Sequence, residues 1–307
     1  MPSDMISYCG FRGRRIVFQN QGNHYPVNAY QSFILATAAS TEAIGLSATQ
    51  QRPLHRLRGV EVCCGGGAAA LALRATGLGV VDASDINPHA VAACEHNAAL
   101  NGLDLDACEV RDCLGPSAYR LPSYDIIACN PPCRPEWAAA APQQPESDRD
   151  WLEIAVDGGD TGEDFALSVL DVALGALAPD GRLVLIVTST QDFVTIFNRL
   201  DTLGLSWWIA AASPVSQPYV PTDTPIDERI RQLHEERRII AWDGGDGWFW
   251  RLSWAVVVST AGGVLPQTDA EPARPWFQNY GYEVQAARFR RAAEYFERLF
   301  GPGEQGR

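Results

Sequence analysis

The sequence is short of positive charge. Against 37 Asp and Glu it sets 24 Lys and Arg, a formal net charge of −13, and such a surface repels a phosphate backbone rather than steering it in. That argues against long nucleic acid as a substrate. The local basic clusters, Arg12-Gly13-Arg14-Arg15, Arg229 to Arg238 and Arg288-Phe289-Arg290-Arg291, are read as solvated faces. Also missing is any uninterrupted apolar run of about 18 residues or more, so no membrane-spanning helix is expected. The opening MPSDMISYCGFRGRR has no apolar core of signal-peptide type, and the expectation is a soluble, cytoplasmic protein without a membrane partner. Cysteine is present but not in ligand spacing. Cys9, Cys63, Cys64, Cys94, Cys108, Cys113, Cys129 and Cys133 contain no C-x-x-C and no neighbouring His pair. No disulfide framework and no metal is therefore expected, and most of these thiols are read as small buried hydrophobes.

What is there is a chain of 307 residues, 46% hydrophobic and 20% charged, enough for a large globular core. Its organising stretch runs from Arg58 to Asp104. Val60 and Val62 lead into Gly65, Gly66 and Gly67, and these give way at once to the helix-forming run Ala68 to Leu73. That order reads as strand, tight turn, helix. A second apolar run from Val80 ends in Asp85. Glycines at such a turn let the backbone approach a ligand, and a carboxylate at the end of the neighbouring strand accepts bonds from ribose hydroxyls. The pattern points to a nucleoside, but not to the dinucleotide fingerprint, whose glycines are spaced G-x-G-x-x-G.

Elements alternate along the rest of the core: helix Pro88 to Asn101, strand Leu105 to Val110, strand Tyr124 to Cys129, helix Ala166 to Ala178, a turn at Pro179-Asp180-Gly181 and strand Arg182 to Thr188. Helix Phe193 to Leu203, strand Ser206 to Ala212 and a last strand Trp250 to Ser259 follow. This alternation predicts an α/β, doubly wound sheet. Past the fourth core strand stands Asn130-Pro131-Pro132-Cys133, a rigid loop because each Pro fixes its own φ and restricts the residue before it.

The stretch Glu61 to Gly67, with Asp85 after it, resembles the first two motifs of the class I S-adenosylmethionine-dependent methyltransferases. The Asn130 loop resembles the N-P-P-aromatic motif of those acting on planar or amide nitrogens, the glutamine methyltransferases of peptide release factors among them. The segment Ala155 to Phe165, with Gly158, Gly159 and Gly162, is similar to that branch's glycine-rich link to the next helix. The resemblance implies a Rossmann-like, doubly wound seven-stranded sheet with the last strand antiparallel, and S-adenosylmethionine as cofactor. It places Glu61, Cys63, Gly65 and Gly67 against the methionine part of the cofactor, Asp85 on the ribose, Ile86 beside the adenine, and Asp112 with Cys113 at the adenine edge. Asn130 and the Pro131 carbonyl are expected to bind the acceptor nitrogen.

Cys133 stands where that branch has Tyr or Phe. The stacking wall is then missing, or comes from Trp137 or from Tyr25 and Tyr30; Cys133 itself is either a nucleophile or a pocket-lining thiol. Residues 1–57 are expected to form a cover segment, with His24, Tyr25, Asn28 and Tyr30 facing substrate. The core spans 58–262 with an insertion at 213–247, and 263–307 is a helical extension whose helix runs from Ala286 to Phe300. The expected acceptor is a nitrogen of a small molecule, amino acid or peptide. Two alternatives stay open, an enzyme that closes a ring within S-adenosylmethionine and releases methylthioadenosine, and a catalytically silent cofactor-binding subunit. A homodimer is also left open.

Overall fold

The computed structural model describes residues 5–10, 13–20, 24, 26–28, 30–115, 119–120, 123–135, 148–218, 232–233, 235–236, 238–239, 242–245 and 248–260. An antiparallel hairpin, β1 (Met5–Cys9) and β2 (Arg15–Gln19), leads into α1 (Ser32–Thr49). Asn28 makes the turn that precedes that helix, its Oδ1 accepting the amides of Tyr30 and Gln31 at 3.2 and 2.7 Å. The core proper opens with β3 (Arg58–Val62), α2 (Ala68–Thr76), β4 (Val80–Asp85), α3 (Pro88–Leu100) and β5 (Ala107–Val110). It continues through β6 (Tyr124–Cys129), α4 (Asp148–Ile154), α5 (Asp164–Ala176), β7 (Leu177–Thr188) and α6 (Phe193–Thr202). The last described strands are β8 (Ser206–Pro218), β9 (Trp242–Gly245) and β10 (Trp248–Ser259).

The sheet runs β5-β4-β3-β6-β7-β10-β8, with β9 added beside β10. The strands β5, β4, β3, β6 and β7 pair in parallel, and β10 is antiparallel to both β7 and β8. This is the expected seven-stranded path with an antiparallel last strand, plus one short extra strand. Helices cover both faces. On one, α5 and α6 bring Val169, Leu170, Ala173, Phe193, Ile196 and Phe197 onto β3, β6, β7 and β10. On the other, α1 and α2 bring Leu35, Ala39, Leu46, Ala69 and Leu73. Strands covered on both sides read as continuous apolar runs, and that is what Ile126 to Ala128 and Leu183 to Val187 are.

Two elements differ from expectation. The turn expected at Pro179 to Gly181 lies inside β7: α5 ends at Ala176, Leu177 already pairs with Tyr124, and a bulge absorbs the intervening residues before Arg182 meets Ile126. Asp180 takes the left-handed conformation there, at φ 62°. A Cβ on Gly181 would lie 2.9 Å from the Tyr124 carbonyl, so the close approach needs glycine. β8 also continues past Ala212 to Pro218, because β10 extends beyond the end of β7 and offers Trp248 to Leu252 as ladder partners. Its prolines are tolerated on an edge strand. Part of the expected insertion is thus sheet; the rest of it, and the expected helix Ala286 to Phe300, lie outside the described residues.

Asp82 carries one charge into this sheet. Its carboxylate accepts two bonds from Arg120, at 2.7 and 2.9 Å, and one from the buried Tyr124 hydroxyl at 2.6 Å. Removing the carboxylate leaves the buried Tyr124 hydroxyl without that acceptor, while Arg120, about a third exposed, can turn to water. Asp82→Ala is expected to destabilise the fold by about 1 to 3 kcal/mol in chemical denaturation.

Candidate active site

The strand order reverses between β3 and β6: β4 and β5 lie to one side of β3, β6 and β7 to the other. Crevices at such a switch point, outside the carboxyl ends of the strands, are where doubly wound sheets bind ligands. Three segments converge there. The first is the turn Cys63 to Gly67. Cys63 is left-handed at φ 54°, as are Gly65 at 49° and Gly67 at 81°. Below it Glu61, buried, turns its carboxylate to the start of α2 and accepts the Ala70 amide at 2.7 Å. Glu61 therefore anchors the helix that carries the turn. Beside it, Asp85 Oδ2 accepts the Gly65 amide and Oδ1 the Asn87 amide, both at 2.9 Å. A carboxylate has about four acceptor positions, so capacity for a hydroxyl remains beside these backbone bonds. Burial holds the Asp85 carboxyl above its ordinary range, against the opposing bonds from Asn87 and Gly65.

Ile86 follows Asp85 with half its surface exposed, and Val110, paired with Asp85 across the ladder, is exposed too. A carboxylate flanked by exposed apolar side chains at a strand end fits a ribose and its base. Asp112 is exposed, and the Cys113 sulfur lies 3.5 Å from that of Cys63.

The second segment is the loop after β6. Asn130 is partly exposed, whereas Pro131, Pro132 and Cys133 are buried. The third segment fixes the second: Arg134 donates its amide to the Val156 carbonyl and accepts the Gly158 amide, both at 2.8 Å. The glycines expected to make a turn here have a packing reason. A Cβ on Gly158 would lie 2.8 Å from Cys133 Cα, and one on Gly162 would lie 2.8 Å from the Cys133 carbonyl. Gln191, at the end of β7, accepts the Thr188 amide at 2.8 Å and donates to the Gly162 carbonyl at 3.2 Å. It clamps the glycine segment onto the sheet.

The cover segment is tied to the same turn. Asn97 of α3 accepts the Gln19 amide at 2.8 Å and donates to the Gly66 carbonyl at 3.0 Å, one side chain joining β2 to the turn. Nothing in the sequence singled out Asn97 or Gln191; a buried amide that bridges two loops has no spacing signature. Of the residues expected to face substrate, His24 is buried, close to where a Cβ on Gly66 would project. Burial, and then His89, hold its imidazole below the ordinary range. Asn28 is occupied in the turn before α1, Tyr30 is partly exposed, and Tyr25 and Trp137 lie outside the described residues. Gln31, which sequence reasoning passed over, is buried with its side-chain amide 4.0 Å from Cys133 Sγ.

Two outcomes follow from this geometry. Gly162 is left-handed at φ 86° and has no room for a side chain, so Gly162→Ala is expected to cost at least about 1 kcal/mol in chemical denaturation. Burial pushes the Glu61 carboxyl up to about 8, the bonds from Ala70 and Ala69 opposing it. Raised above its unfolded value, this group binds a proton more tightly in the folded state, so it destabilises the fold progressively as pH rises towards 8. The fall in thermal midpoint between pH 5 and 8 is expected to be shallower in Glu61→Gln than in the wild type.

The comparisons agree with this frame. Residues 44–142, from α1 through the Asn130 loop, match the family model "Methyltransferase small domain". The release factor glutamine methyltransferase of Deinococcus radiodurans is 32% identical over 170 residues, 55% of this chain and 58% of that protein. The protein of the same name from Moorella thermoacetica is 35% identical over 132 residues, 42% of this chain and 45% of that one. The chain thus spans about half the length of the curated relatives it matches. Among solved structures, the Thermus thermophilus 16S rRNA N2 G1207 methyltransferase in complex with AdoMet and guanosine overlaps at a TM-score of 0.40 and 14% identity, over 83% of this chain and 51% of that one. The chain is thus similar, over part of its length, to a methyltransferase family model and to release factor glutamine methyltransferases, and its motifs lie on the strand ends where the resemblance to class I S-adenosylmethionine-dependent methyltransferases puts them.

Proposed function

We propose that the protein methylates a planar nitrogen, with the side-chain amide of a peptide or protein as the acceptor class favoured over small molecules. The observation that carries this is the Asn130-Pro131-Pro132-Cys133 loop, pinned by Val156 to Gly162 beside the Gly65 turn. The relatives named for glutamine methylation support the acceptor class. Glu61 and Asp85 set the turn on which the donor lies, Asp85 and Ile86 take its nucleoside, and the Cys63–Cys113 neighbourhood lines its edge. Residues 1–57 cover the donor, and no nucleic acid or membrane partner is part of the proposal.

S-adenosylmethionine, when bound, supplies a methyl group already activated by its sulfonium charge. The chain's task is then alignment and exclusion of water, and it needs no strong base. Asn130 and the Pro131 carbonyl accept hydrogen bonds from the acceptor's N–H groups and aim its nitrogen into the crevice. The two prolines hold those acceptors in one orientation. Cys133, buried against Gln31, is on this proposal a wall of the acceptor pocket rather than a nucleophile.

Incubating the full chain with S-adenosylmethionine and glutamine-containing peptides or small amides, with products read by mass spectrometry, tests the proposal. Methylated amide together with S-adenosylhomocysteine is the expected result. Methylthioadenosine without a methylated acceptor would overturn it in favour of ring closure, and donor binding without turnover in favour of a silent subunit. Asn130→Ala is expected to lower kcat by about 100-fold or more, while the donor Kd, read by calorimetry, stays within about threefold. Equal losses in both would remove Asn130 from its proposed role.

A further inference from the structure

Three cysteines far apart in sequence meet behind the donor turn. Cys64 leaves the end of β3, Cys94 lies on α3 and Cys108 on β5, and their three sulfurs all lie within 4.8 Å of one another. Cys64 and Cys94 are buried, while Cys108 is partly exposed and opens the cluster to solvent. We propose that Cys64, Cys94 and Cys108 form a binding site for a thiophilic d10 metal ion, Zn(II) or Cu(I), behind the turn that carries the donor.

The donor set decides the class of ion. It is sulfur alone, without imidazole or carboxylate, which selects soft ions over Mg(II), Ca(II) or Mn(II). Sulfurs on one zinc at the usual Zn–S length are about 3.8 Å apart. Side-chain adjustments of no more than about 1 Å bring this cluster to that spacing. One sulfur is already held from behind: a Cβ on Gly67 would lie 2.4 Å from Cys94 Sγ, so the start of α2 closes directly over it. On binding, the protons still carried by the three sulfurs leave to solvent and three metal–sulfur bonds form. The bound ion joins the donor turn, α3 and β5, the elements that surround Asp85. The site does not depend on the acceptor assignment, and it stands or falls separately from methyl transfer.

The test uses the full chain purified under reducing conditions and loaded, in separate arms, with Zn(II) or anaerobically with Cu(I). After desalting, metal content is measured by mass spectrometry, and accessible thiols are mapped by alkylation of the folded protein. One equivalent retained in either arm is expected, with the partly exposed Cys108 protected from alkylation by the ion and made reactive again by a chelator. Cys108→Ser is expected to weaken retention at least about tenfold, and Cys9→Ser, at an exposed cysteine outside the cluster, to leave it unchanged. Circular dichroism confirms that each variant is folded, and the alkylation map needs no variant. No retained ion, or an ion retained while Cys108 alkylates as fast as in the metal-free chain, would overturn the proposal.

Discussion

The bond donated by the Gly65 amide to Asp85 Oδ2, 2.9 Å long, ties the turn after β3 to the end of β4. Most of the site's geometry depends on it. A second bond, from the Cys64 amide to the Ser84 carbonyl at 3.0 Å, holds the same turn to the same strand. With both, the left-handed residues Cys63, Gly65 and Gly67 are fixed in register with the strand ends. Glu61 completes the arrangement from beneath by accepting the Ala70 amide at the start of α2. Two carboxylates, one under the turn and one beside it, hold a backbone whose glycines would otherwise leave it loose.

A second constraint works through close packing rather than charge. The loop after β6 owes its stiffness to two prolines, but its position comes from residues 22 and 24 places further on, where Val156 and Gly158 exchange backbone bonds with Arg134. Gly158 and Gly162 press on Cys133 without room for a Cβ. Gln191 and Asp192 extend this bracing to the end of β7, where Arg238 bonds Asp192 at 2.6 Å. The crevice is thus framed on one side by hydrogen bonds around the Gly65 turn and on the other by glycine contacts around the Asn130 loop.

Much of this was legible in the sequence, for physical reasons that differ by element. The apolar runs ending in Gly65 and in Asp85 could only be strands running into turns, and the alternation of such runs with helical stretches dictated a doubly wound sheet. The count of seven strands and the antiparallel last strand came from the family resemblance. The bulge at Asp180 was hidden because Pro-Asp-Gly carries the same chemistry in a bulge as in a free turn. Asn97 and Gln191 were hidden because a bridging amide depends on three-dimensional proximity alone. The thiol cluster was hidden for the same reason, since its members come from a turn, a helix and an edge strand rather than from one loop with ligand spacing.

The position that departs from the N-P-P-aromatic pattern can now be placed. Cys133 is buried, and its sulfur meets the Gln31 amide at the start of α1. α1 in turn follows the turn made by Asn28, within the segment that also packs Val27 and His24 against Gly66. The cover segment therefore reaches both halves of the crevice, touching the Gly65 turn through His24 and Val27 and the Asn130 loop through Gln31. A thiol is smaller than a phenol ring and offers no flat face for an amide to stack on. On the proposed function, selection of the acceptor then shifts from a single aromatic side chain to the joint surface of the Asn130 loop and the cover segment. A methyltransferase built this way would recognise its acceptor by contacts from two distant parts of the chain, which meet at Gln31 and Cys133.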